Sequence, residues 1–199
     1  MQKFEYNSDL VGGSLMVRES RVIANLLLNN ATDEEWHQEI QIENRLQKRS
    51  PASAKRNAQA IRKRLEPLES EFWLALRDGD DELATQVCFV SALDRNLLLV
   101  EFMEQVVKDL YTVHAEKIER YHWTEFVEDC ANKDPKIFDW KESSKNKMGQ
   151  IVLRMLAEAG YVVSTKSAKL QAVIVRSEIK NMLENSFRQR LLSCMDLRK

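Results

Sequence analysis

The chain has 199 residues, 44% of them hydrophobic and 31% charged, which supplies the apolar material for a core and excludes an intrinsically disordered chain. Five glycines and three prolines are too few for an all-β fold, which needs many tight turns. The formal net charge of −1 conceals a segregation: residues 48–64 carry seven basic and no acidic side chains, residues 65–109 three basic and eleven acidic, and residues 166–199 eight basic and three acidic, so a nearly neutral chain presents strong local fields.

In chain order, Phe4 to Val11 reads as a short extended arm closed by Gly12-Gly13. A helix follows from about Leu15 to Leu28, with Val22, Ile23, Leu26 and Leu27 apolar, and Asn29-Asn30 ends it. Thr32 with Glu35 three residues on is a capping box; the helix it opens carries Trp36, Ile40 and Leu46 inward. Ser50-Pro51 starts the next helix, Ser as cap and Pro at the first position. It runs to about Leu65 with Ala54, Ala58, Ile61 and Leu65 on one stripe. Arg56, Gln59 and Lys63 fall opposite, and Lys55, Arg62 and Arg64 on the flanks. Two helices joined by a turn of a few residues, the second basic on its outer face, make the helix-turn-helix pattern.

The middle is helical and acidic. One helix starts at Pro67 and ends near Asp78-Gly79-Asp80, a second spans about Asp81 to Leu93, and a third runs from about Asn96 to His114 with Leu98, Phe102, Val106, Leu110 and Val113 as its core stripe. Farther on, Trp123 to Ala131 forms a short helix and Asp134-Pro135 breaks the chain. Ser143 or Ser144 caps a helix that runs to Ala159 and is stopped by Gly160. Ile151, Val152, Met155 and Leu156 face inward; Lys145, Lys147 and Arg154 are available outward. Tyr161 to Ser164 and Leu170 to Val175 read as two short strands around Thr165-Lys166-Ser167, and helix followed by hairpin is the order of a winged helix. A last helix begins near Ser177 and continues with a break towards Leu192.

No apolar run approaches the roughly 18 residues of a membrane span, and Met1-Gln-Lys-Phe-Glu-Tyr lacks a signal-peptide pattern, so the expected compartment is the cytoplasm. Cys88, Cys130 and Cys194 are far apart with no Cys-x-x-Cys spacing and read as buried or free thiols. His37, His114 and His122 do not fall at ligand spacing. No metal or cofactor is therefore expected. Ser144-x-x-Lys147, Gly12-Gly13-Ser14 and Glu178-Ile-Lys180 are fragments of enzyme motifs without the rest of their motifs, and no nucleophile comes with its base. Nothing points to an enzyme.

Seven positive charges without one carboxylate favour a polyanion, which relieves their mutual repulsion and releases counterions. Arg56, Gln59 and Lys63 are candidates for base edges. Lys48, Arg49, Lys55, Arg62 and Arg64 are candidates for phosphates. The competing reading pairs this helix with the acidic middle. Ser143, Ser144, Lys145 and Lys147 at a helix start suit a phosphate, or equally a plain N-cap beside exposed lysines. Lys166 and Lys169 reach a neighbouring groove from a wing, or simply decorate a polar hairpin tip.

These residues also carry a resemblance. Gly12-Gly13-Ser-Leu followed by Glu19-Ser20, Trp36 leading to Asn44-Arg45-Leu46-Gln47-Lys48-Arg49-Ser50, Ile61-Arg62-Lys63-Arg64-Leu65, and Trp140-Lys-Glu-Ser-Ser-Lys-Asn-Lys147 followed by Leu156-Ala-Glu-Ala-Gly160 resemble, in order and spacing, the BrxA family of BREX bacteriophage-exclusion systems, over roughly Tyr6 to Leu183. Ser144 stands where the family has Thr and keeps the hydroxyl. The resemblance implies a small, non-enzymatic, DNA-associated protein acting with a methyltransferase, an ATPase and other BREX components in defence against phage.

The expected structure is mainly α: a compact helical protein with helix-turn-helix or winged-helix-like elements at both ends and at most one short β-hairpin. Its expected regions are 1–66, helix-turn-helix-like; 67–119, acidic and helical; and 120–199, winged-helix-like. The expected function is non-catalytic binding of double-stranded DNA within a BREX system by a monomer with no membrane partner. A protein-interaction adaptor and an RNA-binding helical bundle of antitermination type are the alternatives.

Overall fold

The computed structural model describes residues 6–197. Phe4 and Glu5 of the expected arm lie outside the described residues. Within the rest of that stretch Asp9–Gly12 form a 3-10 turn rather than an extended segment. The cause is anchoring: the Tyr6 hydroxyl donates to Glu101 at 2.7 Å, its N–H donates to Asp134 at 3.2 Å, and Leu10 is buried.

The helices are α1 (Val17–Leu28), α2 (Asp33–His37, prolonged by a π turn over Gln38–Ile42), α3 (Pro51–Leu65), α4 (Ser70–Asp78), α5 (Asp81–Arg95), α6 (Leu97–Phe102), α7 (Lys108–Thr112, joined to α6 by a π turn over Met103–Val107), α8 (Arg120–Lys133), α9 (Glu142–Glu158), α10 (Ser177–Asn185) and α11 (Gln189–Met195). No strand forms among the described residues, so the fold is mainly α. The expected hairpin shrinks to single antiparallel bridges, Val162 to Leu170 and Lys117 to Lys169. Residues 168–170 are shared between two neighbours. The Ile118 N–H donates to Ala168 O, the Leu170 N–H to Glu116 O, and the Val163 N–H to Lys169 O. A segment held from both sides does not project as a wing.

The chain divides into two units. The first comprises residues 15–95 and 176–188. Its central helix is α5, contacted by α1, α3, α4 and α10 and buried nearly all round through Leu83, Val87, Phe89, Val90 and Leu93, the pattern of a core helix. The Arg21 guanidinium on α1 donates to the carbonyls of Leu76, Arg77 and Gly79 at 2.9–3.0 Å, placing a cation at the negative end of α4.

The second unit comprises residues 6–14, 96–175 and 189–197 of the described chain. The Asn96 side chain caps α6 by accepting from Leu99 N–H at 3.1 Å. Leu98 and Phe102 are buried as the stripe requires, but Val106 and Leu110 are only half-buried and Val113 is exposed, while Met103 and Val107 lie inside. The π turn explains the shift: its wider loop inserts a residue and rotates the inward face by one position. Phe102 meets Trp123 and Phe126 of α8 edge-on, with ring centroids 5.2 Å apart in each pair. α9 approaches this cluster at Gly149, where a Cβ would stand 2.5 Å from Trp123 Cδ1, and Gly160 at φ +84° supplies the left-handed stop after α9. Cys88, Cys130 and Cys194 are all buried; burial pushes Cys194 up to about 12 and raises Cys130, which keeps those two thiols protonated.

Candidate nucleic-acid interface

The approach to α3 is rigid. The Thr32–Glu35 capping box forms with both hydrogen bonds, at 3.3 and 2.7 Å. Residues 43–50 then connect the π turn to α3, a longer link than the few-residue turn expected. Asn44, at φ +50°, clasps the backbone of Lys48: Oδ1 accepts from its N–H and Nδ2 donates to its carbonyl, both at 2.8 Å. Asn is among the residues that best tolerate that backbone region. Leu46 plugs the link into the core at 3% exposure. Ser50 Oγ accepts from Ser53 N–H at 3.2 Å, with Pro51 at the first helical position.

On α3 the inward stripe is Ala54, Ala58, Ile61 and Leu65, all buried. The cations around it separate into two groups. Arg49, Lys55, Arg56 and Lys63 are exposed, with Gln59 among them. Three others are engaged elsewhere. Lys48 Nζ lies 2.6 Å from Glu19 on α1; burial would raise the Glu19 carboxyl, but the ammonium holds it below the ordinary carboxylate range. Arg62 lies over the Trp36 ring, 4.5 Å from its centroid, and pairs with Glu66 one turn on. Arg64 is buried at 7% exposure and is withdrawn from any phosphate. Periodicity could not separate these flanks, because Lys55, Arg62 and Arg64 sit at comparable angles from the stripe.

The acidic middle does not use up the exposed cations. Within the same unit, Glu69 and Asp94 share Arg188, at 2.7 and 2.9 Å. Asp80 is 2.7 Å from Arg176, and Asp81 is 3.1 Å from Arg21. Along α2 and α3, Trp36, His37, Ile40, Lys55, Gln59 and Arg62 line a groove of about 320 Å³.

The C-terminal candidates belong to the other unit and are arranged differently from expectation. α9 begins at Glu142 and its flanking residue is Lys141, with no side-chain capping bond. Ser143 and Ser144 therefore lie inside the first turn, and neither is the cap; the Ser144 N–H is already bonded to Lys141 O at 2.8 Å. Lys145 is half-buried, its ammonium 3.7 Å from Glu142 and its carbonyl accepting from Trp123 Nε1 at 2.9 Å. Lys147 and Lys166 are exposed, and Lys169 pairs with Glu116 at 2.9 Å.

What this arrangement defines is a mainly α-helical protein that presents one cationic helix face from a capped, rigidly linked helix pair. Its relatives give the class a family. The BrxA family model matches residues 4–186, and the chain belongs to the BrxA family. It is 36% identical to the BREX protein BrxA of Paramagnetospirillum magneticum, over 99% of both chains. It is 37% identical to the BREX protein BrxA of Escherichia coli O9:H4, over 94% of this chain and 88% of that one. A crystal structure of an uncharacterized protein from Magnetospirillum magneticum superposes with a TM-score of 0.88 at 34% identity, covering 96% of this chain and 98% of the other. Among the described residues no single helix is long and apolar enough to cross a membrane.

Proposed function

We propose that this protein serves a BREX phage-defence system as a non-catalytic component that binds double-stranded DNA through the outer face of α3. The observation that carries this reading is the exposed row Arg49, Lys55, Arg56, Gln59 and Lys63, which has no acidic side chain within it, while Glu69, Asp80, Asp81 and Asp94 of the acidic stretch are paired with Arg21, Arg176 and Arg188. Lysine and arginine heads spaced along a helix suit phosphates and the major-groove floor. The buried stripe and the Ser50 cap fix the helix that carries them, so little order has to be gained on binding.

The test is a titration of a short duplex, followed by fluorescence anisotropy, against the native protein and the double variant Arg56→Glu/Lys63→Glu. Both side chains are exposed, so the variant should keep its helix content. The expected result is a loss of duplex affinity of 100-fold or more at low salt. Unchanged duplex binding would sink the reading. If duplex binding were absent in the native protein too, and the variant instead failed to assemble with the methyltransferase or ATPase of the system, the adaptor function would replace it. Competition by hairpin RNA better than by duplex would favour an RNA-binding bundle.

A further inference from the structure

A second recess lies in the other unit, lined by α8, by α9 and by residues 117–119 and 165–168. Its volume is about 380 Å³, at the lower end of small-molecule sites. The floor is apolar and aromatic: Phe102, Trp123, Val152, Leu153 and Leu156. Gly149 stands in the wall, where the absence of a side chain lets α9 pack directly against the indole; a Cβ at that position would run into the Trp123 ring. The rim is polar and cationic. The side-chain amides of Asn146 and Gln150 come from successive turns of α9, and the hydroxyls of Thr165 and Ser167 come from the facing loop. The one carboxylate, Glu119, is satisfied by Lys117 at 2.9 Å, which leaves Arg120 and Lys166, both exposed, as the net charge of the mouth. None of these features is needed for a helix face that binds a duplex.

We propose that this recess binds a free nucleoside monophosphate. A flat heteroaromatic ring matches the aromatic floor. Amides, which offer donor and acceptor together, match the edge of a base. Arg120 and Lys166 match a phosphate. A fatty acid would use the floor and the cations but leave the two amides and two hydroxyls idle. The test is calorimetric titration of the full chain with AMP, GMP, CMP and UMP, alongside inorganic phosphate, octanoate and a pentanucleotide. At least one monophosphate should bind with one-to-one stoichiometry, tighter than all three controls. Arg120→Glu/Lys166→Glu should weaken it at least tenfold, and Gln150→Ala should change the preference among bases. These side chains are on the surface, so each variant should keep the native thermal midpoint. Absence of saturable binding by all four monophosphates would overturn the proposal, as would indifference to the charge reversal. Binding of phosphate, octanoate or the pentanucleotide equal to or tighter than the monophosphate would overturn it too.

Discussion

Lys63 and Arg64 are neighbours in one cationic run, yet the helix sends them to opposite fates. Lys63 stands in solvent and Arg64 is buried at 7% exposure. Their removal should therefore be felt in different measurements. Lys63→Ala should leave stability within about 0.5 kcal/mol while weakening duplex binding. Arg64→Ala strips a buried polar group from its surroundings and should cost about 1–3 kcal/mol in urea unfolding. The opposite assignment would show that α3 is turned differently about its axis. Gly149 gives a second contrast. Glycine to alanine inside a helix ordinarily gains up to about 1 kcal/mol, but here the new methyl meets the Trp123 ring. Gly149→Ala should instead destabilise by about 1–3 kcal/mol, seen as a lower denaturant midpoint and altered indole fluorescence.

Elements are joined largely by arginines that reach across from other segments. Arg190 on α11 grips Glu104 in the π turn with two hydrogen bonds, at 2.8 and 2.7 Å. The guanidinium holds the Glu104 carboxyl below its ordinary range, against a smaller opposing effect of burial. A carboxylate whose pKa is lowered by folding adds stability above its unfolded value of about 4.3, and that stability is lost as the pH falls through the lower folded value. Arg190→Gln should therefore be less stable than the native protein near neutrality. The pair is partly exposed, so the difference should be no more than about 1 kcal/mol. The two should converge as the pH falls through that lower folded value; a gap that persisted in acid would mean that Arg190 acts through packing alone. The cap of α3 makes a pH-independent companion test. Ser50→Ala removes the acceptor for Ser53 N–H and should cost about 1 kcal/mol, measured by thermal unfolding.

At the scale of the whole molecule, a formal charge of −1 gives no hint of affinity for a polyanion. Local fields decide, because at physiological salt charges are screened beyond about 8 Å. If Arg49, Lys55, Arg56 and Lys63 all meet phosphates, the logarithm of duplex affinity should fall against the logarithm of salt with a slope of about −3 to −4. Removing two of those cations should reduce the slope by about two. A flat salt dependence would show that the cationic face is not the contact.

Local chemistry was legible in the sequence wherever neighbours along the chain settle the outcome. The Thr32 box, the Ser50-Pro51 start, the inward stripe of α3 and the stop at Gly160 all depend on groups within a few residues of one another. The outward position of Arg56, Gln59 and Lys63 follows from helix periodicity alone. Contacts between segments distant in the chain were not legible. Nothing local says that Lys48 finds Glu19, that Arg62 covers Trp36, or that Arg64 turns inward, and so the run of seven cations reduces to four exposed ones only in the folded unit. The same holds for the π turn that rotates the α6–α7 face, for the hairpin held from both sides, and for the start of α9 at Glu142. Periodicity specifies which side of a helix is apolar; tertiary packing decides which of its flanks meets a partner, because a flank sits where either solvent or a neighbouring helix can satisfy it.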